Sequence, residues 1–305
     1  MNKEFEASLK SVETENVIDL YFYRRIGYSL ASALRNTGIT PNAVTALSIF
    51  VGVASGVMFF FNNICYGIIG ILLLIFANIL DCVDGQLARI TGIKSEFGRI
   101  LDGIAGDLWF LAIYVCLALR LTFACGNAWW WFLPALMSGL SHLLQANITD
   151  YYKTVHLYFV SPETTGHEFQ SVRQVGKMQQ AAKSGLKRFF FSLYMEYTGI
   201  QERLTPYLQG LLEKIRSKCD GVIPDRLSLD FRARSHRLMR RCIDFMTFNG
   251  RTVVLFAAVL TGYVWAYFVF EIIVLNIILY IAIRKHEKMC KWFSNNFNEY
   301  ENRTE

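Results

Sequence analysis

Apolar residues in this chain fall into long unbroken runs, separated by short polar breaks and one long polar interval. The runs cover residues 46–61, 65–80 (continuing into a polar end near Arg89), 101–123, 129–148, 253–269 and 272–283. Each approaches the ~20 residues a helix needs to cross a bilayer, some only with their flanks. The pattern predicts an all-α polytopic membrane protein with six transmembrane helices. Ahead of the first run, Ile18, Phe22, Ile26, Leu30 and Leu34 recur every four residues, with Arg24, Arg25 and Arg35 off that stripe. This predicts an amphipathic helix over 18–37, lying at the membrane interface or packed on protein. Thr40-Pro41-Asn42 then reads as a helix start, because Thr caps well and Pro favours the first helical position.

The polar interval, 154–248, carries amphipathic pieces of its own. Leu204, Leu208, Leu211, Leu212 and Ile215 suit one helix, and Phe231, Leu238, Met239, Cys242, Ile243 and Met246 another. The second also bears Arg232, Arg234, Arg237, Arg240 and Arg241, a composition suited to anionic lipid or to a solvated face. Three parts are therefore expected. Residues 1–153 hold the interfacial helix, four spans and the chemistry; 154–248 form a cytoplasmic helical insertion; 249–305 hold two spans and a cytoplasmic tail.

Charge distribution orients the spans. The breaks at 62–66, 122–128 and 267–271 contain no Lys or Arg, although Arg120 precedes the second. Nearly all of the 31 basic residues fall on the other side. The positive-inside rule then puts both termini in the cytoplasm and the chain in the cell's inner, cytoplasmic membrane.

Composition agrees with this picture: 53% hydrophobic, 18% charged, mean hydropathy +0.28. The net charge of +6 comes with no nucleic-acid module. The polar N-terminus lacks the apolar stretch of a signal peptide. Seven cysteines without a CxxC pair suggest neither a disulfide framework nor a zinc site; Cys65, Cys82, Cys116 and Cys125 read as small buried apolar groups.

Four acids break the apolar pattern. Asp81 and Asp84 end the second run, and Asp102 and Asp107 lie at the start of the third. Like charges so close repel, and burial worsens the repulsion. A cation resolves it, and ligation by oxygen alone suits Mg²⁺ or Mn²⁺. Asp81 and Asp84 are i,i+3 neighbours, and Gly85 and Ala88 beside them are small enough to admit a ligand to the backbone.

The segment Asp81-Cys-Val-Asp84-Gly85-Gln-Leu-Ala88-Arg89, with Gly98 and Asp102, resembles the D-x2-D-G-x2-A-R-x8-G-x3-D pattern of the CDP-alcohol phosphotransferases. Chance would match these positions at a given start on the order of 10⁻⁸ of the time, at residue frequencies near 5–8%. The stretch from Thr40 to Thr45 is similar to the family's first-helix signature, and the likeness covers about 18–150. The resemblance implies transfer of a phosphatidyl or related group from a CDP donor, CDP-diacylglycerol above all, to an alcohol. It implies that Asp81, Asp84 and Asp102 hold the ions, and that Gly85, Ala88, Arg89 and Ser95, with Asn42 and Thr45, bind the donor. The expected partners are a CDP-linked lipid donor, a small alcohol, membrane lipid and a second copy of the chain, with no nucleic acid.

One position departs from the family. Its last Asp comes four residues after the third, where this chain has Gly106; the acid is Asp107. On a regular helix Asp107 points about 140° away from Asp102. A π-bulge between Gly103 and Asp107 would return it to the metal as a ligand and as the catalytic base. A catalytically inactive metal-binding scaffold and a cation transporter are the competing functions. His142, Gln145, Asn147, Asp150, Tyr151 and Tyr152 are candidates for the acceptor end, with Lys94, Arg99 and Lys153 for a phosphorylated acceptor.

The charge asymmetry makes a topological prediction. In a cysteine-free background, single cysteines at Asn63 and Ala128 should react with an impermeant thiol reagent from outside the cell. Cysteines at Ser217 and Asn296 should react only after permeabilisation. The reverse labelling would overturn the orientation.

Overall fold

The computed structural model describes residues 3–9, 11–93, 96–161, 169–181 and 184–301. The described chain is almost wholly helical and contains no strand. It begins with α1 (Lys3–Ala7), α2 (Arg24–Leu34, entered through a π-helical turn at Asp19–Tyr23), α3 (Pro41–Phe60), α4 (Ile64–Thr91) and α5 (Glu96–Ala124). Next come α6 (Phe132–Val160), α7 (Val172–Ala181), α8 (Gly185–Leu204), α9 (Pro206–Lys218) and α10 (Asp225–Leu238). The last helices are α11 (Phe248–Thr261), α12 (Trp265–Val269), α13 (Leu275–Asn295) and α14 (Asn298–Glu301). Two compact units result, Met1–Leu143 with Phe248–Val274, and Leu144–Thr247 with Leu275–Glu305.

Five helical stretches are long and apolar enough to cross a membrane: Pro41–Phe60, Ile64–Thr91, Leu101–Ala124, Asp225–Thr261 and Trp265–Asn295. The other expected span, 129–148, falls mostly in α6, a 29-residue helix that is not among the five. Its polar side chains turn inward: Ser138, His142, Gln145 and Asn147 are buried, while Leu133, Leu136, Leu140 and Leu143 are exposed at three- and four-residue spacing. That is the reverse of a water-soluble amphipathic helix, and it suits a lipid-facing apolar stripe.

Local chemistry sets the helix ends. Thr40 caps α3 through its side chain, which accepts from the Ala43 amide, and Pro41 follows at the first position. Asn63 caps α4 by accepting from the Cys65 amide at 2.8 Å. Arg120, the isolated cation of α5, donates to the Phe59 carbonyl at 3.4 Å and to Asn62 Oδ1 at 2.7 Å. It thereby satisfies the exposed C-terminal end of α3.

In the first unit α3 packs against both α4 and α5. Glycines permit the close approach. A Cβ at Gly52 would stand 2.1 Å from Trp109 Cδ1, and one at Gly56 would stand 2.9 Å from the Ala112 carbonyl carbon. Along the π-helical turn and α2, the expected stripe members Ile18, Phe22 and Leu30 are exposed, Ile26 and Leu34 are half-buried against the core, and Tyr23, Gly27 and Ala31 are buried. The small face meets α4, with Gly27 set against Cys82 and Gln86. The apolar stripe is thus divided between the core and the surface.

Three expectations change. The break placed at 267–271 is helical, with Tyr267 and Glu271 fully buried. The turn lies instead at Gly262, whose φ of +81° ends α11. Cys65 and Cys125 are exposed rather than buried, since each sits at a helix end. Finally, Leu204 does not share a helix with Leu208, Leu211 and Ile215: the chain breaks at Thr205, and Pro206 starts α9. Those last three apolar residues are buried, as are the six of the second amphipathic stretch.

The close α3–α5 contact is testable. Gly52→Ala should destabilise the purified protein by about 1–3 kcal/mol through overpacking against Trp109, read as a lower apparent Tm. Gly103→Ala, where a Cβ meets nothing within 4 Å, should leave the Tm unchanged or raise it slightly.

Candidate metal centre

Asp81 and Asp84 lie one turn apart on α4, one and four residues past the apolar run. Asp102 comes from α5. One carboxylate oxygen from each of the three lies within 4.8 Å of the others. Oxygens bound to one Mg²⁺ at 2.0–2.1 Å stand about 3 to 4 Å apart in an octahedron, so small side-chain rotations would bring all three onto one ion. Asp84 is buried, Asp81 half-buried and Asp102 exposed, which leaves the group open on one side.

The donor set suits such an ion. Both Asp84 oxygens are buried, and neither meets a hydrogen-bond donor at proper geometry, although Thr45 and the Gly85 amide lie nearby. A buried carboxylate without partners is costly, and a bound divalent cation removes that cost. Arg24 is the cation beside Asp81, but it is ion-paired with Glu15 at 3.0 Å. Also beside Asp81 is Asp19, which adds to the negative charge. Burial, then Asp19, then Cys82 push the Tyr23 phenol up to about 12, so it stays neutral at physiological pH.

Of the residues expected to bind the donor, Thr45 and Gly85 lie beside Asp84. Thr45 is buried on the first turns of α3, where its hydroxyl donates to the Pro41 carbonyl at 3.1 Å, and Asn42 is half-buried one turn earlier. Gly85, Ala88 and Arg89 are half-buried on α4. Gly85 leaves room for Arg89: a Cβ there would stand 3.1 Å from Arg89 Nη2. The Arg89 Nε donates to the Ser8 carbonyl, and Gln86 Nε2 donates to Ser8 Oγ at 3.0 Å. The N-terminal segment therefore reaches the end of the acidic motif. Ser95 and Lys94 lie outside the described residues, as does the side chain of Arg99.

The expected π-bulge is absent. α5 is a regular α-helix from Glu96 to Ala124, including all of 102–107. Asp107 keeps the rotation of about 140° from Asp102 and lies roughly 7.5 Å farther along the axis. It is not one of the clustered carboxylates, and its placement as a metal ligand is corrected accordingly. Gly103 and Gly106 did not loosen the helix, because nothing crowds them: a Cβ at either position meets no atom within 4 Å. The position where the family carries its fourth acid is therefore open space.

Asp107 faces a second constellation. Its Oδ1 lies 3.8 Å from His142 Nε2, and its side chain is 39% exposed. His142 Nδ1 meets Arg251 Nη1 at 3.1 Å and the Tyr114 hydroxyl at 3.0 Å. Arg251 has no lone pair to offer, so Nδ1 accepts and the imidazole proton sits on Nε2, toward Asp107. Arg251 also pairs with Glu271 at 2.5 Å, and Tyr267 donates to the other Glu271 oxygen at 2.9 Å. Arg251 is 2% exposed and Glu271 fully buried. Sequence reading singled out His142 but missed Arg251, Glu271, Tyr114 and Tyr267. The available signal was an Arg and a Glu inside or beside apolar runs.

Other candidates for the acceptor end are engaged in packing. Gln145 donates to Asn276 at 2.9 Å, and Asn147 donates to the Tyr197 carbonyl at 3.1 Å. A second group that could hold a metal, His286, Glu287 and Cys290, is also accounted for. Glu287 accepts from the Tyr207 and Leu208 amides at 2.7 and 3.3 Å, capping α9, and His286 stacks on Tyr152 with ring centroids 4.1 Å apart.

Residues 38–169 match the CDP-alcohol phosphatidyltransferase family model. An archaetidylinositol phosphate synthase of Pyrococcus horikoshii is 38% identical over 95 residues, which is 31% of this chain and 47% of that protein. An uncharacterized protein of Aquifex aeolicus is 32% identical over 82 residues, 27% of this chain and 40% of that one. The chain thus matches less than half the length of either relative.

The acid group makes a direct binding prediction. Mn²⁺ titrated into the purified protein and followed by electron paramagnetic resonance should bind. Asp84→Asn or Asp102→Asn should weaken that binding at least about tenfold, and Asp107→Asn should not. Binding unaffected by Asp84→Asn would remove the site.

Proposed function

We propose, on the premise that residues 38–169 carry a CDP-alcohol phosphatidyltransferase domain, that this chain transfers a phosphatidyl or related phosphoryl-linked group from a CDP-activated donor to a small alcohol, releasing CMP. The observation that carries the proposal is the meeting of the Asp81, Asp84 and Asp102 carboxylates from two helices, with neither buried Asp84 oxygen accepting a hydrogen bond at proper geometry. CDP-diacylglycerol is the preferred donor, because a site at the end of membrane spans admits a lipid laterally. The name of the Pyrococcus relative supports inositol phosphate as the first acceptor to try. The membrane is the cytoplasmic one, with both termini and the site on its cytoplasmic face, where the basic residues gather.

The chain's own residues divide the work. Asp81, Asp84 and Asp102 would hold the divalent cation, which when bound neutralises charge on the donor pyrophosphate. Arg89 pairs with phosphate oxygens over Gly85, which lacks the side chain that would crowd it. Thr45 and Asn42 offer polar groups at the N-terminus of α3, where the helix dipole favours an anion. The alcohol oxygen bonds to the β-phosphorus, and the bond from that phosphorus to the bridging oxygen breaks. The electron pair leaves with CMP. Asp107, which lies 3.8 Å from His142 Nε2 and about one and a half turns beyond Asp102, accepts the hydroxyl proton.

A second reading has one observation in its favour. Gly106 stands where the family carries its fourth acid, and the regular helix leaves that place empty. This describes a metal-binding membrane protein without turnover.

Release of CMP from CDP-diacylglycerol in the presence of Mg²⁺ and a panel of alcohols separates the two. Under the transferase reading, wild type releases CMP, excess EDTA stops it, and Asp81→Asn, Asp84→Asn and Asp102→Asn each abolish it. Asp107→Asn should lower kcat by roughly 10²-fold or more while changing the donor KM little, as expected for a base acting in the transition state. Full turnover in Asp107→Asn would assign the proton to another acceptor. No CMP release from wild type, with release gained in Gly106→Asp, would establish the second reading.

A further inference from the structure

The second unit contains an open cavity of about 350 Å³ between α10, with the π-helical turn that follows it at Met239–Ile243, and α13. Arg234, Arg237 and Arg241 line one side at three- and four-residue spacing. Lys285, Lys288 and Trp292 line the other with the same spacing. Leu238 and Met289 form the apolar part of the wall. Five cations thus face one volume, and no carboxylate lines it. Arg234 is spent on Trp292, its guanidinium carbon 3.9 Å from the ring centroid. Among the described residues, Arg237, Arg241, Lys285 and Lys288 have no ion-pair partner. The nearby Asp244 is turned to Arg240, at 3.6 Å, which does not line the cavity.

Like charges held this close on two packed helices repel unless an anion lies between them. In sequence, Arg241 lies ahead of the apolar run 253–269 and Lys285 just beyond the run 272–283. Lys285 and Lys288 therefore stand where a span leaves the hydrocarbon, the level of lipid headgroups, and the arginines share their cavity. Trp292 is exposed and amphipathic, as residues at that level are. Leu238 and Met289 give an acyl chain something to lie against. We propose that this cavity binds the phosphate headgroup of an anionic phospholipid. The cavity shares no lining residue with the acidic motif, and the proposal does not depend on the transfer reaction.

The test uses the purified full-length protein in detergent, exchanged with equimolar phosphatidylglycerol and phosphatidylcholine and examined by native mass spectrometry. Wild type should retain phosphatidylglycerol over phosphatidylcholine by at least about tenfold, and the preference should shrink as ionic strength rises. The triple variant Arg237→Gln, Arg241→Gln, Lys288→Gln should bind the two lipids equally. A matched triple variant, Arg188→Gln, Arg203→Gln, Arg216→Gln, removes the same charge elsewhere and should keep the preference. Both variants should elute as wild type does on size exclusion; if the cavity variant does not, Lys285→Gln alone should lower the preference several-fold. Equal retention of both lipids by wild type would overturn the proposal, as would loss of the preference in the matched variant. Displacement of phosphatidylglycerol by millimolar inorganic phosphate or glycerol phosphate would reassign the cavity to a soluble phosphate compound and overturn it too.

Discussion

A charge inside an apolar helical bundle has to find its opposite, because the medium around it cannot solvate it. Much of this protein's polar architecture follows from that requirement. Arg251 and Glu271 meet it internally: they pair at 2.5 Å, and Tyr267 and His142 take up further hydrogen-bonding capacity. Removing one member of such a buried pair typically costs about 3–5 kcal/mol, because the other is left stranded. Asp81 and Asp84 are not met in the same way. Arg24 is shared with Glu15, and neither Asp84 oxygen accepts a hydrogen bond at proper geometry. The same physics that closes one group leaves the other waiting for a cation.

Close packing makes that acid group. Gly52 and Gly56 let α3 lie against α5, and Ser55 donates to the Gly70 carbonyl across the α3–α4 contact at 2.8 Å. The small residues thus gather three helices whose ends carry Thr45, Asp84 and Asp102. Where the sequence departs from the family pattern, the helix does not adjust. A bulge would cost a hydrogen bond and gain nothing, since Gly103 and Gly106 are uncrowded. Asp107 therefore follows the regular turn to His142, and the chemistry proposed for it depends on that partner.

Polarity is also inverted where membrane and protein compete for the same helix. α6 buries its Ser, His, Gln and Asn and exposes its leucines. Farther along the chain, α10 and α13 bury their apolar faces in the second unit and leave arginines and lysines around an open cavity. In both places the side chains are sorted by what lies outside the helix, lipid tails in one case and headgroup phosphate in the other.

Periodicity and composition determined the helical class, most span positions, the caps at Thr40 and the acidic motif, because each is local: a run of apolar residues, a capping hydroxyl, or acids one turn apart. The amphipathic stripes at Leu208–Ile215 and Phe231–Met246 were legible for the same reason. Only the tertiary structure decided the rest. Glu271 looked like a loop residue because its partner, Arg251, lies on another helix. The turn fell at Gly262 rather than at 267–271 because buried pairing there outweighed the cost of keeping a carboxylate in the bundle. The family spacing places an acid one turn after Asp102, but in this chain that acid is Asp107, and the backbone, unstrained at Gly106, keeps its regular pitch past it. The basic cavity joins two helices about fifty residues apart in sequence, so neither half announces it: local sequence specifies what each helix can offer, and packing specifies to whom.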